Sequence, residues 1–227
     1  MHTLSWDELF STYQKLIREL QGSVVIGGVA VYLHTIEHAT TKRWAGMTHD
    51  GDLYLSYEDL GFLRDHEDVT SNPRLKKHQV RKNNIEFDVY VQHQHGLLVS
   101  YDEVFAHAVM MEDVRVAAIE HLMILKLEAY RDRQDSSKGQ KDAQDLIRLA
   151  LILSETQTQW ELMIPYLDDE HPHLLEQAFH HQHIMALTSQ QPFETRNIKL
   201  QLQRWRKQLD LEWQRVYQPS GPFLPKP

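Results

Sequence analysis

The 227-residue sequence contains no cysteine, which excludes a disulfide framework and any zinc site built from thiolates. It also lacks any run approaching the roughly 20 consecutive apolar residues that a membrane span needs. Residues 1–7 have neither the basic start nor the apolar core of a signal peptide. These absences predict a cytoplasmic protein that acts without a membrane.

An excess of positive charge is absent as well. The chain carries 24 Lys and Arg against 32 Asp and Glu, a formal net charge of −8, which disfavours general binding to nucleic acid. One basic segment, residues 74–82, remains suited to an RNA phosphate backbone or a triphosphate tail, with a solvated loop as the alternative. Its basic residues are Arg74, Lys76, Lys77, His78, Arg81 and Lys82.

A glycine turn stands near the start of the chain. Three aliphatic residues, Val24, Val25 and Ile26, run into Gly27 and Gly28 and then into an apolar segment, which predicts a strand, a turn and a helix. Glycines let a ligand approach the backbone, and the N–H groups of a helix start suit triphosphate oxygens. Taken alone, a pair of glycines is more typical of an ordinary turn.

Three carboxylates fall in predicted strands. Asp50 and Asp52 are two residues apart, so on a strand they point to one face, where their like charges are tolerated mainly with a cation between them. Asp88 lies on the opposite face of its strand from Phe87 and Val89. Carboxylates suit magnesium, and two such ions can activate a hydroxyl and steady a leaving pyrophosphate. The alternative for Asp-x-Asp alone is a solvated turn.

A lysine and two aspartates mark the predicted helices of the second half. Lys126 lies in the apolar segment 122–127, which predicts a half-buried side chain, unless its stem extends outward or it pairs with Glu128 or Asp145. Lys141, Asp142 and Asp145 share one helix face with Lys138, which a solvated charged face explains equally well.

The periodicity divides the chain into an α/β core at 1–113, a helical region at 114–217 and an extended Pro-rich tail at 218–227. Within this plan, residues 66–83 are predicted as a polar loop. Residues 160–166 are predicted to lie in one helix, and residues 174–187 to form another.

Together these motifs resemble the nucleotidyltransferase superfamily related to DNA polymerase beta. The resemblance rests on Gly27-Gly28, on Thr48-x-Asp50-x-Asp52 and on Asp88 in an apolar strand. The downstream lysine, the arginines that follow it and the Lys-Asp-x-x-Asp motif at 141–145 are similar to the abortive-infection branch, which includes toxins of type IV toxin–antitoxin pairs. The match covers about residues 22–152.

The resemblance implies an α+β fold with a mixed sheet, flanking helices and a helical C-terminal region. It implies transfer of a nucleoside monophosphate from a nucleoside triphosphate to a hydroxyl of a tRNA 3′ end or of a protein side chain, with two Mg²⁺ ions or with Mn²⁺. An antitoxin protein is the implied partner. A non-catalytic nucleotide- or partner-binding module on the same fold is the alternative.

The resemblance also assigns roles to individual residues. The metal ligands would be Asp50, Asp52 and Asp88, the last of which would also help to deprotonate the acceptor. Lys126 would neutralise phosphate charge. The nucleotide would be held by Gly27, Gly28, Lys141, Asp142 and Asp145. Two departures stand out: the link before the aspartates is long, with Arg43 set back from them, and Gly51 separates the aspartates, which is typical of a bulge.

Overall fold

A computed structural model describes residues 5–48, 50–94 and 96–217. The predicted Pro-rich tail at 218–227 lies outside these ranges. Among the helices of the described residues, none combines the length and the apolar character that crossing a membrane requires.

The centre of the fold, within the described residues, is a seven-stranded mixed sheet with the strand order β3-β4-β5-β2-β1-β7-β6. The strands are β1 (Val24–Ile26), β2 (Gly51–Leu55), β3 (Val69–Asn72), β4 (Lys77–Lys82), β5 (Ile85–Val91), β6 (Val109–Met111) and β7 (Val114–Val116). The pairs β2–β5 and β1–β7 are parallel, and the other neighbouring pairs are antiparallel.

Helices surround this sheet and form the C-terminal region, so the predicted α+β fold class is confirmed. They are α1 (Trp6–Ile17), α2 (Gly27–Glu37), α3 (Tyr57–His66), α4 (Tyr101–Ala106), α5 (Ile119–Arg133), α6 (Ser137–Glu155), α7 (His171–Ala178), α8 (His181–Leu187) and α9 (Pro192–Tyr217). Helix α2 contacts β1, β2, α5 and α6, and α9 contacts α6 and α8.

One apolar core joins the two halves of the chain. Val25 and Leu53 of the sheet, Leu122 of α5, Leu146 of α6 and Trp205 of α9 are all buried in it. Strand β7, which begins at the predicted boundary near residue 114, belongs to the sheet. The division into two units stays a prediction.

The segment 66–83, predicted as a polar loop, instead forms β3 and β4. His78 and Val80 are buried, whereas the alternate residues of β4 lie on the opposite face. Asn83 and Asn84 adopt positive φ angles of 52° and 62° between β4 and β5, as a tight two-residue hairpin turn requires. The charged composition of β4 made this strand look like a loop in the sequence, because only two side chains of β4 are buried in the core.

Two helix predictions in the C-terminal region were wrong in detail. Residues 160–166 form two short 3₁₀ turns, Trp160–Leu162 and Ile164–Tyr166, and the second contains Pro165, which lacks the N–H that a continuing α-helix needs. Residues 174–187 form the end of α7 and all of α8, with a break at which the His180 side chain caps the new helix.

Gly51 does not mark a bulge. It pairs in regular register with Phe87 in β5. A Cβ atom at Gly51 would lie 2.4 Å from Phe87 Cδ1 and 2.7 Å from Tyr13 Cε2. The glycine is therefore needed because two aromatic rings pack directly over the strand at this point.

Candidate active site

Asp52 and Asp88 lie side by side on neighbouring strands. They are register partners in the parallel pair β2–β5, so their side chains project from the same face of the sheet. On its other side, Asp52 is the register partner of Ile26, the last residue of β1, after which the glycine turn begins. The sheet thus brings together two of the three predicted carboxylates and the predicted turn.

The Asp52 carboxylate is in an unfavourable environment for a charge. Burial raises its pKa from 3.8 to about 6; Lys126 opposes this shift and Asp88 adds to it. The Tyr13 hydroxyl donates a hydrogen bond to the main-chain carbonyl of Asp52. This bond fixes the backbone of β2 and does not involve the Asp52 carboxylate. Among the described residues, no side chain donates a hydrogen bond to that carboxylate, which leaves it open to a cation.

The glycine turn is shaped by the carboxylate beside it. Gly27 has a φ of +65°, and a Cβ atom there would lie 2.0 Å from Asp52 Oδ2. A Cβ atom at Gly28 would lie 2.9 Å from Thr48 Oγ1. Helix α2 begins at this turn, and among the residues that the structure describes no side chain caps its N-terminus. Backbone N–H groups of the first turn therefore lie next to Asp52.

Asp50 is exposed and precedes β2 rather than lying in it. Because Asp50 lies outside β2, the alternation of side chains along the strand does not place Asp50 on the same face as Asp52. The loop is tied to helix α6, because Lys141 Nζ donates to Thr48 Oγ1 at 3.1 Å. Thr48 Oγ1 in turn donates to the Asp50 carbonyl at 3.3 Å. Lys141 is thus brought to the edge of the site, and its contact with a nucleotide stays a prediction.

Both oxygens of the Asp88 carboxylate have partners from β4. Lys77 Nζ forms an ion pair with Oδ2. Gln79 Nε2, directly across in register, donates to Oδ1 at 3.0 Å and to Glu86 Oε1 at 2.8 Å. Strand β4 therefore neutralises Asp88 through Lys77 and adds a hydrogen bond through Gln79.

Lys126 is buried and paired rather than extended into solvent. Its ammonium lies 2.8 Å from Asp145 Oδ2 and 3.1 Å from Asp142 Oδ1. Burial alone would favour the neutral amine, but the two carboxylates outweigh it and raise the pKa of Lys126 above its usual range. The charge also acts on Asp52, whose pKa it lowers.

The two aspartates of α6 are not part of a solvated face. Asp142 is 1% exposed and Asp145 is 3% exposed, so each needs a buried partner. Arg133 Nε donates to Asp142 Oδ2 at 2.7 Å and its Nη2 donates to Oδ1 at 3.1 Å. Arg148 Nη1 donates to Asp145 Oδ1 at 2.8 Å. This charge network fastens α5 to α6.

The residues present fit magnesium in their donor chemistry. Among the described residues, no group of three or more His, Cys, Asp or Glu side chains is arranged to hold a metal ion. Magnesium, however, needs only one or two protein carboxylates and completes its shell with water and phosphate. Asp52 and Asp88 supply two hard oxygen donors on one face, and the Asp52 carboxylate has no hydrogen-bond donor among the described side chains.

Comparison with known proteins returned no matching family model and no match among curated proteins. The chain is similar in structure to the Megavirus polyadenylate synthase, with a TM-score of 0.47 and 13% identity over 69% of this chain and 34% of the synthase. It therefore spans about a third of that protein's length. JHP933 from Helicobacter pylori matches with a TM-score of 0.47 and 18% identity over 94% of this chain and 98% of its own.

A third similar structure is an antigenic nucleotidyltransferase-like protein from Paracoccidioides brasiliensis. It has a TM-score of 0.45 and 18% identity, and the match covers 77% of this chain and 94% of that one.

Three contacts of the site escaped the sequence analysis. Lys77 was recognised only as part of a basic segment, and neither Gln79 nor Tyr13 was assigned to the site. The Asn83-Asn84 turn was the available signal for the first two, because it predicts a hairpin whose alternate residues face Asp88. Tyr13 carried no comparable signal, since its partner lies 39 residues away in the chain.

The first prediction concerns pH. The raised pKa of Asp52 means that the folded state binds its proton more tightly than the unfolded chain does, so its contribution to stability falls as pH rises from about 4 to about 6. The difference amounts to about 3 kcal/mol at full effect. We expect Asp52→Asn to match the wild type in urea unfolding at pH 4 and to exceed it by about 2 kcal/mol at pH 7. Parallel pH profiles for the two proteins would contradict this.

The second prediction concerns the turn. Gly27→Ala should lower the free energy of unfolding by about 2 kcal/mol, because alanine is strained at positive φ and its Cβ would collide with Asp52. Gly61→Ala is the matched control: nothing lies within 4 Å of its Cβ, and it sits inside α3, so it should stabilise by about 0.5 kcal/mol. Equal urea midpoints for the two variants would show that the turn is not constrained as described.

Proposed function

We propose that this protein is a metal-dependent nucleotidyltransferase that moves a nucleoside monophosphate from a nucleoside triphosphate to a hydroxyl acceptor. The observation that carries the proposal is the register pairing of Asp52 with Asp88 beside the Gly27 turn. The sequence resemblance supports it, because Gly27, Asp52 and Asp88, which are among the residues quoted for that resemblance, lie together at the central strands of the sheet.

In this proposal, Asp52 and Asp88 hold magnesium together with Asp50. When bound, magnesium would supply charge stabilisation to the acceptor oxygen and to the phosphate oxygens. The Gly27-Gly28 backbone binds the triphosphate, since neither residue presents a side chain that would block it. Lys141 and Lys126 add positive charge from α6 and α5, and Asp142 and Asp145 fix the position of Lys126.

The proposed reaction exchanges one bond at the α-phosphorus for another. The acceptor oxygen forms a new bond to the α-phosphorus, and the bond from that phosphorus to the bridging oxygen breaks. The proton of the acceptor hydroxyl passes to the Asp88 carboxylate, and pyrophosphate leaves. Asp88 suits this step because its strand presents it next to Asp52.

We further propose that the acceptor is the 3′ end of a tRNA or a hydroxyl of a protein side chain, and that the protein acts in the cytoplasm as the toxin of a toxin–antitoxin pair. The exposed basic side chains Arg74, Lys76 and Arg81 lie on the hairpin that adjoins β5, which favours an acceptor with a phosphate backbone.

A binding module without catalysis is the second candidate. Two observations favour it: Lys77 already neutralises Asp88, and Asp50 is exposed ahead of the strand rather than lying in it beside Asp52. Such a protein would bind nucleoside triphosphate at the glycine turn without completing a transfer.

One assay separates the two candidates. The protein is incubated with each α-labelled triphosphate and either total RNA or total cell protein, first in magnesium and then in manganese. Transfer predicts label on RNA or on protein together with released pyrophosphate. Binding of triphosphate with no pyrophosphate released with any acceptor would establish the binding module instead.

A further inference from the structure

Lys77 is held at the site by an ion pair with Asp88. Its side chain is 13% exposed, and that of Asp88, with which it forms an ion pair, is 20% exposed. Lys82, near the other end of β4, pairs away from the site with Glu67. The hairpin therefore directs one particular lysine at the proposed metal ligand.

The register explains why Lys77 reaches Asp88. Gln79 is the direct partner of Asp88 across the β4–β5 ladder, and Lys77 is two residues along on the same face, a diagonal neighbour within reach of a long side chain. With Lys77 on Oδ2 and Gln79 on Oδ1, each oxygen of the carboxylate has a donor. A divalent cation that binds Asp88 must therefore share a carboxylate oxygen with one of these donors or displace that donor.

We infer that Lys77 competes with the divalent cation for Asp88, so that metal binding requires its ammonium to leave the carboxylate. This inference rests on the proposed function, since it concerns the same site, and it adds a residue that sets the affinity for metal. An ammonium and a divalent cation repel each other at one carboxylate, whereas the neutral amide of Gln79 does not oppose the cation. Lys77 is thus a positioning residue and not a metal ligand.

The test measures Mn²⁺ binding by electron paramagnetic resonance, with no nucleotide present. Lys77→Met should bind Mn²⁺ about 5- to 10-fold more tightly than the wild type, which corresponds to roughly 1 kcal/mol. Arg81→Met removes the same charge from the same strand without a contact to Asp88 and should stay within about twofold. Lys77→Arg retains the charge and should bind no more tightly than the wild type.

A second measurement uses the wild type alone, so it does not depend on whether Lys77→Met folds. In protein labelled with ¹⁵N-lysine, the ammonium signal of Lys77, identified by its loss in Lys77→Arg, should shift as Mg²⁺ is added. A Lys77 signal that does not respond to saturating Mg²⁺ would overturn the inference, and so would Mn²⁺ affinity unchanged in Lys77→Met.

These outcomes are distinct from a failure of the proposed function. If the wild type transfers nucleotide while Lys77→Met binds Mn²⁺ as the wild type does, only the competition is refuted. If Asp52→Asn binds Mn²⁺ as the wild type does, or if neither protein binds it, the metal site itself is refuted, and the competition with it.

Discussion

Replacing Asp52 with asparagine is expected to reduce nucleotide transfer at least ~10³-fold, the scale of loss seen when a group that stabilises the transition state is removed. Asp52 is linked to all three parts of the site: it borders Gly27, pairs in register with Asp88 and responds to the charge of Lys126. An amide in its place keeps the shape but loses the charge that would bind a divalent cation.

The same variant is expected to be more stable than the wild type at pH 7, which separates lost chemistry from lost folding. Glu86→Gln is the matched control, because Glu86 lies on the same face of β5 as Asp88 and is exposed. We expect its transfer rate to stay within about threefold of the wild type. Transfer by Asp52→Asn within tenfold of the wild type would show that the chemistry takes place elsewhere.

Lys126→Met is expected to lower the free energy of unfolding by about 4 kcal/mol, the range for removing one partner of a buried ion pair. The change leaves Asp142 and Asp145 buried, with Arg133 and Arg148 as their remaining cations. Both aspartates then lose the ammonium that lies between them. Urea unfolding followed by circular dichroism measures the effect, because α5 and α6 belong to the core and should unfold together with it.

Lys138→Met is the control for this loss, since Lys138 is exposed on the same helix, α6, and should change stability by less than about 0.5 kcal/mol. Adding Asp145→Asn to Lys126→Met should restore none of the loss, because it would leave the buried Arg148 guanidinium without its carboxylate partner. A single variant as stable as the wild type would mean that Arg133 and Arg148 neutralise the two aspartates by themselves.

The charge network also explains why the helical region matters for the site. Lys126 comes from α5, and Asp142 and Asp145 come from α6, yet the positive charge acts on Asp52 in the sheet. Lys141, also from α6, donates a hydrogen bond to Thr48 in the loop that carries Asp50. A change in the packing of α5 on α6 would therefore alter the electrostatics around Asp52.

Local pattern accounts for much of what could be predicted. The strand–turn–helix at Gly27 and the face of Asp88 followed from short-range periodicity, and both were confirmed. Where periodicity was weak, as in the hairpin of β3 and β4, prediction was wrong.

The sequence by itself determined which residue types stand at the glycine turn and along the strands, because backbone conformation and side-chain alternation depend on near neighbours. Only the tertiary structure decided that Lys77 meets Asp88, that Tyr13 holds Asp52 and that Lys126 lies between two buried aspartates. These contacts join separate elements of the fold. Strand register and helix packing create them, and these depend on burial of the whole core rather than on any local motif.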